Sequence, residues 1–296
     1  MKYLSTEEIA KKWGISDRSV RSYCFQGRVN DAYYDGKWYI PDNALKPDRK
    51  SRTKKRNLIN VLKHQKDNKI SGSIYNKLQI DFAYNSNHIE GTKLTHEETR
   101  YIFETKTISG DNILIDDITE TINHFRCFDY IIDTYDKTLN ERYIKQIHRF
   151  LKNNTLSSDS SEAIIGDYKR YENTIGDIET VHPDYVAEEM KELLNKYNKN
   201  KKHSFEDIVE FHKEFERIHP FFDGNGRVGR LIMFKECLKS EVVPFIIDDK
   251  FKREYYNGLK MWQLYDDKNY LIETCLLMQD NMKLILDYFE IKYTDV

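Results

Sequence analysis

The chain has 296 residues, 39% of them hydrophobic and 13% aromatic, with charges of both signs that leave a formal net of −2. This is a globular composition; no run approaches a membrane span, and the start lacks the apolar core of a signal peptide. Cys24, Cys127, Cys237 and Cys275 stand far apart without metal-type pairing, which fits a reducing cytoplasm. The small net charge hides an asymmetry. Residues 1–56 hold 14 basic against 7 acidic side chains, a net of +7, leaving −9 for the rest. A basic head on an acidic body suggests two domains with different partners.

In chain order, Ser5 and Glu8 offer a capping box before a short helical run, Ile9, Ala10 and Trp13, which Gly14 breaks. Ser16 caps a second helix from Asp17 to about Phe25, with Val20 inward and Arg18 and Arg21 outward, and Gly27 ends it. Alternation on either side of Asp35-Gly36 predicts a hairpin, Ala32–Tyr34 with Lys37–Ile40. Helix, tight turn, helix and hairpin make the plan of a winged helix-turn-helix over residues 1–47. The stretch resembles the small excisionase- or MerR-like DNA-binding modules. That resemblance implies DNA contacts by Arg18 and Arg21. The basic run Arg49–Arg56, within a linker at 48–59, can lie along phosphates.

Beyond the linker, Ile74, Leu78 and Phe82 recur at helical spacing. Their helix runs to Ser86 and Glu90, four apart on one face, with Gly91 placed to end it. Thr95 and Glu98 form a second capping box. Ile118, Ile122, Phe125 and Phe128 mark the next helix, and Ile144, Ile147 and Leu151 the one after. His124 and His148 in these helices are read as packed or polar-capped. Residues 166–183 lose periodicity and read as a hairpin or loop before a helix ending near Tyr197. Ser204 and Asp207 cap a helix through Phe205, Ile208, Phe211, Phe215 and Ile218. Pro220 disfavours helical geometry at His219, which therefore ends it.

The most informative run is His219-Pro220-Phe221-Phe222-Asp223-Gly224-Asn225-Gly226-Arg227-Val228-Gly229-Arg230. It combines a base, a hard-metal ligand, a glycine-flanked turn and two guanidinium groups. Gly224 and Gly226 let backbone N–H groups approach phosphate oxygens, and a helix starting near Arg227 adds the positive end of its dipole. Asp223 can hold magnesium, while Arg227 and Arg230 offer planar forks to phosphates. A neutral His219 can accept a proton.

Together these residues resemble the Fic family signature, His-Pro-Phe-x-Asp/Glu-Gly-Asn-Gly-Arg-x-x-Arg, and every specified position is filled. The resemblance implies a mainly α-helical Fic core over residues 60–296 with a small β-hairpin flap. It implies a protein adenylyltransferase that moves AMP from ATP to a Ser, Thr or Tyr hydroxyl of a target protein, with Mg²⁺. His219 would be the base, Asp223 the metal ligand, Asn225 and nearby N–H groups the α-phosphate site, and Arg227 and Arg230 the β- and γ-phosphate sites. Ser86, Glu90 and Gly91 match the family's inhibitory helix, in which the Glu pairs with the second signature arginine, Arg230. Ile175, Gly176, Asp177 and Ile178 match the flap tip that covers ATP. Tyr255 and Tyr256, with Leu259 and Trp262, resemble the adenine-side helix. Two other readings stay open: a DNA-binding regulator with a nucleotide-sensing Fic core, and a hydrolase that removes AMP. The expected partners are a target-protein hydroxyl, DNA through residues 1–56, and a second copy of the chain, with no membrane.

Overall fold

The computed structural model describes residues 2–47, 56–108, 113–155, 164–175 and 178–293. The basic run at 49–55 lies outside them.

The head consists of β1 (Tyr3–Leu4), α1 (Thr6–Trp13), α2 (Asp17–Phe25), β2 (Tyr33–Tyr34) and β3 (Trp38–Pro41). Its sheet has the order β1-β3-β2, and Tyr33 pairs with Tyr39 and Tyr34 with Trp38 across the Asp35-Gly36 turn. Both halves of the Ser5–Glu8 capping box form, and Gly14 closes α1 at φ +63, where a side chain would be strained. Ile9, Val20 and Ile40 meet in a small core of their own.

The body follows as β4 (Arg56–Asn57), α3 (Leu58–Asp67), α4 (Ile74–Ile89), α5 (His96–Thr105), α6 (Ile115–Thr134) and α7 (Glu141–Leu151). Then come β5 (Thr174–Ile175), β6 (Ile178–Glu179), α8 (Pro183–Tyr197), α9 (Phe205–Ile218), α10 (Asn225–Ser240), α11 (Lys252–Tyr265), α12 (Asn269–Tyr288) and β7 (Ile291–Lys292). β4 and β7 pair in parallel and join the two ends of the body. The centre is α10, packed against α9, α7, α6 and α4. The sequence suggests a single apolar face for it. Instead it is buried nearly all round, and even Lys235 and Glu236 are inside, paired with each other at 2.5 Å. A helix with no solvent face mounts the loop at its N-terminus rigidly.

The head docks on the body by the surface expected to face outward. Arg18 does not project to solvent but pairs with Asp280 of α12 at 3.3 Å, and both side chains are half-buried. Arg21 pairs with Asp17 and lines the cleft between the head and α11. Phe25 and Tyr34 pack on Phe251, with ring centroids 5.2 and 5.8 Å apart, and the Tyr34 hydroxyl donates to Glu254. α2 was expected to be free for a nucleic-acid groove; in this arrangement it is covered by apolar contacts to the body.

Phe251 belongs to a 3-10 turn, Asp249–Phe251. Its other side holds α4: the Asp249 N–H donates to Asn85 Oδ1 at 2.9 Å, and its carboxylate lies 2.8 Å from His88 Nδ1. No helix among the described residues is long and apolar enough to cross a membrane. All four cysteines are free and buried.

Candidate active site

α9 stops where Pro220 dictates, and His219 takes a left-handed conformation (φ 50, ψ 61) with its N–H bonded to Phe215 O at 2.9 Å. This places the ring at the mouth of a loop that α10 closes. Asn225 braces that loop: its side chain accepts from Phe221 N–H at 2.8 Å and donates to Phe221 O at 2.7 Å. The residue is buried and both its amide atoms hold the Phe221 backbone, so Asn225 shapes the loop on which the expected phosphate site is built. Gly224 stands at φ +83 before α10, whose N-terminus has no side-chain cap. Its first N–H groups have no side-chain cap of their own, the setting in which a helix N-terminus takes an anion.

His219 is nearly buried. Burial and the positive charge of Lys169 pull its pKa down to about 4, against the opposing pull of Glu90 and Asp223, so the imidazole is neutral at pH 7. Below it lies Glu216, whose Oε2 is 4.0 Å from His219 Nδ1 and whose Oε1 is 3.9 Å from His212 Nδ1. Burial pushes the Glu216 carboxyl up to about 8, making it a neutral acid at pH 7.

Asp223 is held in three ways. The Gly224 N–H donates to its Oδ1 at 2.6 Å, Lys152 Nζ donates to its Oδ2 at 2.6 Å, and His148 Nε2 donates to its backbone O at 3.0 Å. Burial alone would raise its pKa, but Arg227 and Lys152 together hold it at about 2. Lys152 also donates to Glu120 at 2.6 Å, and Glu120 pairs with Arg227. His148 and Lys152 sit four apart on α7, so one helix face clamps the loop. The His148 ring also stacks on Phe221 at 3.9 Å. Reading the sequence missed Lys152 and Glu120. A histidine and a lysine four apart are a faint signal, and nothing local says that α6 and α7 meet at Asp223.

Arg230 and α4 meet as the motif resemblance implies. Arg230 is 1% exposed; its Nη2 donates to Glu90 Oε1 at 2.6 Å and to Ser86 O at 2.9 Å, and its Nε donates to Ser86 Oγ at 3.1 Å. Gly91 follows at φ +104, turning the chain away. A side chain at Gly226 would collide with the Glu90 carboxylate, so that carboxylate lies directly on the first turn of α10. It occupies the ground where a phosphate would meet the helix N-terminus.

The flap is the antiparallel pair β5–β6, with Ile175 opposite Ile178; Gly176 and Asp177 lie outside the described residues. Its root is tied to the loop. Asn173 donates to Phe221 O at 3.1 Å, Lys169 N–H donates to Pro220 O at 2.9 Å, and Lys169 Nζ donates to Asn173 and Thr180, each at 2.6 Å.

Tyr255 is 0% exposed, donates to or accepts from His212 Nε2 at 2.6 Å, and backs the Arg230 guanidinium at 5.9 Å from its ring. The enclosed ring supports His212 and Arg230 from behind the site. Tyr256, one step round α11, remains half-exposed beside Lys252.

Residues 138–237 match the Fic/DOC family. The protein adenylyltransferase Fic of Drosophila grimshawi is 28% identical over 185 residues, covering 60% of this chain and 37% of that protein. The Drosophila melanogaster protein of the same name shares 28% over 60% of this chain and 36% of its own length. The chain thus spans little more than a third of the length of these curated relatives. Among solved structures, a Fic domain containing signaling protein from Bacteroides thetaiotaomicron superposes with a TM-score of 0.63 at 21% identity, over 80% of this chain and 99% of that one. A Fic family protein from Desulfovibrio desulfuricans gives 0.62 at 21% identity, over 80% and 74%. The architecture is therefore a mainly α-helical Fic fold carrying a small three-stranded N-terminal sheet.

Proposed function

Given a Fic/DOC family region at residues 138–237, we propose that this chain is a protein adenylyltransferase held inactive by its own Glu90. The observation that carries the reading is the pairing of Glu90 with Arg230 over the N-terminus of α10, beside a neutral His219. An anion site already filled by the chain's own carboxylate, with a base next to it, has the chemistry of phosphoryl chemistry under restraint.

In the reaction, the hydroxyl oxygen of the target attacks the α-phosphorus of ATP as His219 takes its proton. The bond from the α-phosphorus to the bridging oxygen breaks, and pyrophosphate leaves. Asp223 would hold Mg²⁺, which when bound neutralises phosphate charge. The donor chemistry fits that ion: Asp223 is a carboxylate whose side chain keeps 46% of its surface exposed beside the loop. A single carboxylate with substrate phosphates is the usual way of holding magnesium. Arg230 must leave Glu90 to meet the γ-phosphate. The flap root, tied to Phe221 and Pro220, positions an exposed strand edge for the target backbone.

The test is AMP incorporation from labelled ATP into cell lysate and into the chain itself. Glu90→Gly is expected to raise labelling by about 100-fold, the cost of a misplaced phosphorus relieved. Glu90→Gly combined with His219→Ala is expected to label nothing. Equal labelling by wild type and Glu90→Gly would overturn the inhibitory role, and labelling by the double variant would overturn His219 as the base.

A further inference from the structure

Lys152 does more in this site than a lysine at a helix end needs to do. Its side chain is 2% exposed, and its ammonium lies 2.6 Å from both Asp223 Oδ2 and Glu120 Oε1. The stem runs beneath the loop, close enough to Gly224 that a Cβ there would meet Lys152 Cδ at 3.3 Å, and the two short bonds hold its ammonium in place. Across the same carboxylates, Arg227 pairs with Glu120 and brings Nη2 to 3.7 Å from Asp223 Oδ1. Two carboxylates and two cations make a closed, neutral quartet. Every oxygen of Asp223 already has a donor, since Oδ1 also accepts from Gly224 N–H at 2.6 Å.

We propose that Lys152 bars divalent cations from Asp223 until nucleotide phosphates are present, so that the cation is accepted only together with its nucleotide. A bare dication arriving at Asp223 meets an immobile ammonium on the same carboxylate and no net negative charge around it, and like charges at this range repel strongly in a partly buried site. A triphosphate brings the missing negative charge and supplies most of the ion's oxygen ligands. Binding of the two is then linked, each raising the affinity of the other. The inference rests on the assignment of Asp223 as the metal ligand in the transferase reading.

The experiment titrates the purified full chain with Mn²⁺ in the absence of nucleotide and follows the free-ion signal by electron paramagnetic resonance. Wild type is expected to leave Mn²⁺ free. Lys152→Gln, which keeps a hydrogen-bond donor but loses the charge, is expected to bind one Mn²⁺ about tenfold or more tightly than wild type. Lys152→Arg restores the charge and should exclude the ion again. Adding Asp223→Ala to Lys152→Gln should abolish the gain, placing the ion on Asp223. Circular dichroism confirms the fold of each variant, and Lys152→Met is the second neutral form should Lys152→Gln not fold. Tight Mn²⁺ binding by wild type, or no gain in folded neutral variants, overturns the proposal. No ATP enters this measurement, so a failure to detect AMP transfer would overturn the transferase reading and leave this result standing.

Discussion

Glu216 sits under His219 in a state set by its surroundings. His212 and His219 face its two oxygens, Arg230 and Glu90 lie beyond, and Gly229 of α10 presses against it. Its folded-state pKa of about 8 lies above the ordinary 4.5, so between those values the folded chain holds a proton that the unfolded chain has lost. Its contribution to stability is therefore full below about pH 4.5 and is lost as pH rises through 8. Glu216→Gln removes that dependence. The Tm of the variant should fall less than that of wild type between pH 5 and pH 8; an equal fall in both would show that Glu216 is not the proton's seat. The buried imidazoles act in the opposite sense. His148 is drawn down to about 4 and His212 to about 3, chiefly by burial, so the stability they lend is present above pH 6.5 and lost as pH falls towards those values. The same holds for His219, and the acid limb of AMP transfer should fall nearer pH 4 than pH 6.5. A limb at 6.5 would mean that the working base is a solvated imidazole.

At the scale of elements, what was legible in the sequence was whatever is settled within a few residues. The capping boxes at Ser5–Glu8, Thr95–Glu98 and Ser204–Asp207 all form, because cap and partner are three apart. Pro220 ends α9 at His219 for an equally local reason. The meeting of Ser86 and Glu90 with Arg230, some 140 positions away, came from a motif and not from any physical signal in the run itself. What stayed hidden depends on which helices touch. The bracing of Phe221 by Asn225 stayed hidden because the two meet only once the loop closes. Lys152 and Glu120 stayed hidden because apolar periodicity gives the inward face of each helix but not which charged side chains meet across them. Asn225→Ala provides a check: leaving the Phe221 backbone groups unpaired in a buried site should cost about 1–3 kcal/mol per lost pairing, read as a lower urea midpoint. A midpoint unchanged from wild type would remove Asn225 from the bracing role.

For the molecule as a whole, the orientation of the head is the largest departure from expectation. Sequence pattern put Val20 inside and Arg18 outside, and the first holds because a small core can be read from periodicity. Arg18 could not be placed that way, since its partner Asp280 lies 262 positions later on α12. Arg18→Asp would replace the ion pair across the seam with two like charges. It is expected to loosen the head without unfolding the body, seen as faster proteolysis of the linker at 48–55 with an unchanged body Tm.

The Asp249–Phe251 turn gives that loosening a further reach. One side of it carries the rings of Phe25 and Tyr34, and the other side carries Asn85 and His88, one turn of helix from Glu90. On the transferase reading, whatever takes hold of the head also has a grip on Glu90 and its pairing with Arg230, through three residues of backbone. Phe25→Ala with Tyr34→Ala should speed amide exchange at residues 84–91 about threefold or more, while exchange in α10 stays slow. On that reading, the threshold for release would then be set at the head–body seam, by two rings that stand nearly two hundred residues before His219 in the chain.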